Sequence, residues 1–65
     1  MRYFFHVIGA DQSIVDDDGT DFPSTELAIG YGTRVAVELG GDGEYDGCHV
    51  VIIGEGQKEL ARIPI

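Results

Sequence analysis

The chain lacks the covalent and membrane anchors that hold many small proteins in place. Its 65 residues contain one cysteine, Cys48, so no disulfide bond can form within the chain. A lone thiol is typical of a reducing compartment, and no apolar run approaches the roughly 20 residues of a membrane-spanning helix. The apolar segment after Arg2 is short for a secretory signal and is interrupted by His6. These absences predict a cytoplasmic protein without a membrane partner.

Basic residues are also scarce. Four Lys and Arg residues stand against twelve Asp and Glu residues, which gives a formal net charge of −8. Nucleic-acid binding depends on clustered Lys and Arg side chains that neutralise phosphates, and here the basic residues are scattered. Excess negative charge favours solubility and repels polyanions and anionic membranes. The composition therefore predicts a protein that does not bind nucleic acid.

The length allows one domain, residues 1–65, with one small core. A domain of this size buries only about 60% of the surface that its unfolded chain exposes. Such domains usually gain stability from a disulfide, a metal or a second copy. Because a disulfide is excluded, we expect self-association.

The run Arg2–Ile8 carries three of the six aromatic residues and is typical of a β-strand. Because alternate side chains of a strand point to opposite faces, one face receives Tyr3, Phe5 and Val7. The other face receives Phe4, His6 and Ile8. Both faces of the predicted sheet therefore carry apolar side chains.

Glycine and aspartate divide the first half of the remaining chain. Ser13–Asp16 is predicted as a short strand, and Asp16–Asp21 as an acidic turn. Ser24 is the expected N-cap of a helix over Thr25–Leu39. The apolar stripe of that helix is predicted to contain Leu27, Tyr31, Val35 and Leu39, widened by Ala28, Gly32 and Ala36. The competing interpretation is that 34–39 forms a strand in an all-β domain.

The second half contains two more strands, His49–Ile53 and Glu59–Ile65. The elements sum to an α+β fold in ββαββ order. Two β-hairpins would form a four-stranded antiparallel sheet, with the helix packed on one face.

Several short segments together are similar to a known family of short bacterial proteins. The segments are Tyr3-Phe4-Phe5-His6, the turn that ends in Asp18-Gly19, Asp21-Phe22-Pro23 before the helix, and Ile63-Pro64-Ile65. The family is abundant in rhizobia and other alphaproteobacteria and is catalogued as a domain of unknown function. The resemblance implies no catalytic residue and no cofactor. This chain departs from the family in its helix, which contains Gly30 and Gly32 where Ala, Glu and Arg are usual.

Three kinds of chemistry are open to the polar residues. The acidic turn Asp16–Asp21 is an incomplete match to a calcium loop, because the first and last ligand positions fall on Ile14 and Thr25. Cys48 and His49 are zinc-type ligands but lack the spacing and number of a structural site. A small-ligand or metal-binding module, or a redox-sensing thiol at Cys48, therefore remains an alternative function. We expect no enzyme, since a closed pocket generally needs more chain than this.

The leading hypothesis is a non-enzymatic protein that acts through a protein interface. If the helix covers the face with Tyr3 and Phe5, the other face stays open. The predicted contact residues on that face are Phe4, His6, Leu60 and Arg62. A homodimer is the simplest assembly that covers it.

Overall fold

A computed structural model describes residues 1–41 and 43–65 and shows an α+β fold. Within these residues one α-helix, α1 (Thr25–Gly40), packs on a five-stranded antiparallel sheet. The strands are β1 (Arg2–Ile8), β2 (Ser13–Ile14), β3 (Thr20–Asp21), β4 (His49–Ile53) and β5 (Glu59–Pro64), with a 3-10 turn at Glu55–Gln57. The predicted α+β class is confirmed.

The predicted count of four strands and the ββαββ order are wrong at one place. The end of the acidic turn, Thr20–Asp21, pairs with Arg2 and Tyr3 and forms β3. The sheet order is β2–β1–β4–β5, and β3 shares with β2 the same edge of β1. β1 is long enough to hold two short partners end to end, so the element order is βββαββ.

Helix α1 begins as predicted. The Oγ of Ser24 accepts a hydrogen bond from the backbone N–H of Leu27 at 3.2 Å. Glu26 lies in the first turn, where the helix dipole favours a negative charge. The alternative strand at 34–39 is wrong, because the helix runs through these residues.

The side of α1 that faces the sheet differs from the predicted stripe. Ala28, Gly32 and Ala36 are buried, whereas Leu27 and Tyr31 are exposed. The sheet fills the space beneath the helix with large side chains, and the core cluster consists of Tyr3, Ala28, Ala36, Val50 and Ile52. A Cβ atom on Gly32 would lie 2.6 Å from Cδ1 of Ile52. The helix approaches closely enough that small residues must face the sheet.

A β-bulge separates the two halves of the β4–β5 pair. Ile52 pairs with Ala61, but Ile53 pairs with Glu59, so Leu60 has no direct partner. The extra residue reverses the alternation expected for a regular strand. Leu60 is half-buried and packs against the core cluster. Its predicted place on the open face is therefore wrong.

Candidate functional site

The side of the sheet opposite α1 forms the candidate site, which we call the open face. Directly paired residues of an antiparallel sheet share a face. The register pairs His6 with Val51 and Val51 with Arg62, which makes a row across three strands. The open face consists of Arg2, Phe4, His6, Ile8, Ser13, Asp21, His49, Val51, Ile53, Glu59, Arg62 and Pro64.

Of the predicted contact residues, the structure brings Phe4, His6 and Arg62 to this face. Alternation alone left open which side of β4 points outward. The β1–β4 register decides it, because Phe4 pairs with Ile53 and His6 with Val51. Val51 is only 4% exposed, while Phe4 and Ile53 are partly exposed. The centre of the open face is thus apolar.

The open face carries almost no net charge. Each of its two carboxylates lies beside an arginine: Glu59 accepts two hydrogen bonds from Arg62, at 3.0 and 3.2 Å, and Asp21 lies 3.5 Å from the guanidinium of Arg2. The hydrogen bond from Arg62 lowers the pKa of Glu59, and the same contact raises the pKa of Arg62. Both groups are solvent-exposed, so the pair is available to rearrange. In a chain of net charge −8, the paired charges on the strands of this face therefore balance one another.

The acidic turn runs beside β1 and borders the open face. The carboxylate of Asp16 accepts hydrogen bonds from the backbone N–H groups of Phe5 (3.1 Å), Gly19 (3.0 Å) and Asp18 (3.3 Å). It thereby fills the gap along β1 between β2 and β3. Partial burial opposes ionisation of Asp16, but the three N–H groups and nearby His6 outweigh it. The pKa of Asp16 therefore lies below its ordinary value of 3.8.

His6 is tied to the same turn. Its Nδ1 accepts a hydrogen bond from the backbone N–H of Asp16 at 3.0 Å. The neutral ring must then carry its proton on Nε2. The ring lines a shallow groove of about 310 Å³ on the open face, together with Phe4, Val15, Asp16, Asp17 and Gln57. The groove therefore combines an apolar floor with an acidic border.

A family model described as a domain of unknown function (DUF6894) matches residues 2–65. The chain belongs to this family. The match covers nearly the whole chain and confirms the resemblance to a domain of unknown function. No curated protein and no solved structure matches the chain.

The metal hypotheses find little support in this DUF6894 domain. Cys48 is buried, whereas the neighbouring His49 lies on the open face, so their side chains diverge. In residues 1–41 and 43–65, no group of three or more His, Cys, Asp or Glu side chains is placed to hold a metal ion. The carboxylate of Asp16, the best oxygen ligand of the turn, is engaged by backbone N–H groups.

Cys48 occupies a packing position in the domain. The residue is 4% exposed, and a Cβ atom on Gly9 would lie 2.5 Å from its Sγ. Buried structural thiols are inert compared with exposed ones. Oxidation of Cys48 would require this part of the fold to open.

In 1–41 and 43–65, no helix has both the length and the apolar character that crossing a membrane demands.

Proposed function

We propose that this protein is a non-catalytic interaction module that pairs with a second copy through the open face. The observation that carries the proposal is the contrast between this face and the rest of the chain. The face has apolar side chains at its centre, and its two ion pairs, Arg2–Asp21 and Arg62–Glu59, balance its charge, whereas the chain as a whole carries a net charge of −8. Depletion of unpaired charge around an apolar centre is typical of interface cores.

The architecture supports pairing of sheets. The helix covers one side of the sheet and packs mainly on β4 and β5, with Tyr31 also against Phe5 of β1. A small domain gains stability when a second copy covers the remaining side. The three long strands β1, β4 and β5, spaced about 4.8 Å apart with about five residues each, span roughly 240 Å² in projection. The interface would fall below the usual size of stable complexes, and we expect a dissociation constant no tighter than the micromolar range.

The charges favour one orientation of the two sheets. A twofold axis parallel to the strands places β5 of one copy over the β2 edge of the other. Arg62 then enters the groove beside His6 and meets the carboxylate of Asp17. The same contact forms twice, as a twofold interface requires. An axis perpendicular to the strands would instead place Arg62 against its own copy, which like-charge repulsion disfavours.

Sedimentation equilibrium over a range of concentrations tests the proposal. At micromolar concentrations we expect a reversible monomer–dimer equilibrium for the unchanged chain and a monomer for Phe4→Glu. The matched control is Ile14→Glu, which places the same charge at an exposed apolar site on the helix side of the sheet. We expect this control to dimerise like the unchanged chain.

A urea unfolding curve and a second variant separate loss of dimerisation from loss of the fold. Phe4 contacts the turn at Gly19, so Phe4→Glu is to be accompanied by a urea unfolding curve. Arg62→Glu changes an exposed side chain and is expected to weaken dimerisation at least tenfold while the fold persists. A chain that stays monomeric at millimolar concentration, or a folded Phe4→Glu variant that dimerises normally, would overturn the proposal.

A further inference from the structure

The outward side of α1 carries a second apolar surface, separate from the open face. Leu27 is 55% exposed and Val37 is 72% exposed, although both are large apolar residues. With Gly30 and Arg34 they form a line at spacings of three, four and three residues, which we call the outer seam. This spacing is the a/d pattern of helices that pack against each other. The seam lies on the side of α1 opposite Ala28, Gly32 and Ala36.

Gly30 and Gly32 of α1 lie in different environments. Gly32 faces the core, and a side chain at that position would clash with Ile52. Gly30 is exposed, and nothing lies within 4 Å of a Cβ atom placed on it. A glycine inside a helix costs about 1 kcal/mol relative to alanine. The core explains this cost at Gly32 but not at Gly30.

A groove of about 400 Å³ opens beside Gly30. Its lining consists of Phe22, Glu26, Leu27, Gly30, Tyr31 and Arg34. The rings of Phe22 and Tyr31 lie 5.4 Å apart and form an aromatic wall. An acid and a base thus border one apolar groove, which suits an occupant that carries both apolar groups and a charge.

We propose that the outer seam docks against the outer seam of a second copy, with the two helices antiparallel. In this arrangement Leu27 of one copy packs on Val37 of the other, and Gly30 receives Arg34. Each of these layers occurs twice, so the seam is complementary to itself. Exposed apolar residues then meet each other, and the space above Gly30 is filled by the arginine stem.

Charge also fits this occupant. Arg34 is the only basic residue of α1, whereas Glu26 and Glu38 lie toward its two ends. An Arg34 side chain from the second copy enters between the two carboxylates of the first. The pairing therefore places the helix's only positive charge among its negative charges in both copies. An amphipathic helix of another protein would lack this reciprocity and is the competing outcome of the test.

The seam is short, so the contact is weak. Leu27 and Val37 lie ten residues apart, or about 15 Å along the helix axis. An interface of this length falls below the usual size of stable complexes, and we expect a dissociation constant of roughly 0.1–1 mM. The inference does not depend on the proposed function, because the outer seam and the open face lie on opposite sides of the molecule.

The test uses the full chain with Phe4→Glu, which blocks the open face. Sedimentation at 0.1–2 mM is expected to show residual dimerisation in this background. Adding Val37→Glu is expected to weaken it at least tenfold, while Ile14→Glu leaves it unchanged. Arg34→Lys retains the charge and is expected to retain association, whereas Arg34→Glu is not. If Phe4→Glu lowers stability, the double variant Arg62→Glu with Pro64→Glu, which changes two exposed positions of the open face, replaces it as the background.

Cysteine cross-linking tests the orientation. In the same background with Cys48→Ala, one population carries Leu27→Cys and another carries Val37→Cys. Oxidation of the mixture is expected to give cross-linked pairs in excess of those from either population alone, because antiparallel helices bring positions 27 and 37 together. A monomer at 2 mM, or equal cross-linking within the single populations, would overturn the proposal. Association that requires an added helical peptide would overturn it as well.

Discussion

The carboxylate of Asp16 supports a central part of the fold that can be tested directly. It accepts hydrogen bonds through both oxygens, with Phe5 at Oδ2 and with Asp18 and Gly19 at Oδ1. Asp16→Asn keeps the shape of the side chain but leaves one oxygen, so the amide NH₂ must face a backbone N–H on one side. We therefore expect this nearly isosteric change to be destabilising.

The magnitude follows from the number and exposure of the donors. A hydrogen bond to a charged group contributes about 1.5–3 kcal/mol net, and less when the donor can turn to water. The bonds from Asp18 and Phe5 are exposed and partly buried, respectively, so their sum is discounted. We expect Asp16→Asn to lower the free energy of unfolding by about 1–2 kcal/mol and Asp16→Ala by about 2–3 kcal/mol. In a domain of this size the melting temperature would fall by roughly 5–15 °C.

The matched control is Asp17→Asn, which removes the same charge from the next residue. Asp17 lines the groove, and its side chain makes no hydrogen bond within residues 1–41 and 43–65. Urea unfolding at one fixed low-micromolar protein concentration and pH 7, in the Arg62→Glu background that removes the dimer contact of Asp17, compares the two variants. Equal stabilities of Asp16→Asn and Asp17→Asn would refute the reasoning.

The pH dependence gives a second check. Because the folded pKa of Asp16 lies below its ordinary value of 3.8, the charged form is favoured by folding. Its contribution is fully present above that ordinary value and is lost as the pH falls through the folded pKa. The difference between the unchanged chain and Asp16→Asn should be constant from pH 5 to 8 and shrink below about pH 4. A difference that persists unchanged at pH 2.5 would contradict the assignment.

Three further predictions concern packing. Gly32→Ala is expected to destabilise the fold by about 1–3 kcal/mol because its Cβ would meet Ile52, whereas Gly30→Ala should stabilise the monomer by up to about 1 kcal/mol. Urea unfolding of both variants in the Phe4→Glu background measures these two changes in the free energy of unfolding. Changes of the same sign would contradict the placement of the helix. Leu60→Ala is expected to lower the free energy of unfolding by about 2–3 kcal/mol, because the bulge turns this side chain to the core. A decrease below about 0.5 kcal/mol in a urea titration would contradict this placement of Leu60. The thiol of Cys48 is expected to react with a disulfide reagent at least 100-fold more slowly in the folded chain than in urea, and similar rates would restore the redox hypothesis.

Much of the secondary structure could be predicted because local signals agreed. Alternation over Arg2–Ile8 and the β-branched run His49–Ile53 matched the observed strands. The N-cap at Ser24 located the start of α1. These signals depend on neighbours in the chain, so they can be read without knowledge of the tertiary structure.

The misplaced features depend on partners distant in sequence. Thr20–Asp21 is a strand only because β1 has a free edge beside β2. Leu60 is inside because the register changes at Ile52/Ile53, which no local pattern reports. The helix presents Gly32 to the core because the sheet supplies large side chains. A stripe predicted from the large apolar residues of the helix therefore points in the wrong direction.

For the site, the alternation along β1 placed Phe4 and His6 correctly on the open face. The contributions of Val51 and Ile53 needed the β1–β4 register. The role of Asp16 was missed because its hydrogen bonds reach across the turn to Phe5 and His6. The sequence predicts only an acidic turn with an incomplete match to a calcium loop, because no local pattern reports the hydrogen bonds of Asp16 at the edge of β1.

The pairing of β1 with β4 also sets how the chain reaches its folded state. β1 is made first, yet Phe4 finds its partner at Ile53, after the helix and the following loop have been synthesised. Such distant pairing must overcome the entropy of closing a long loop before any contact offsets it. We therefore infer slow, concerted folding on a millisecond-to-second scale. During that interval an aromatic strand with unsatisfied edges stays accessible to aggregation, a hazard that the abundant negative charge of the chain counteracts.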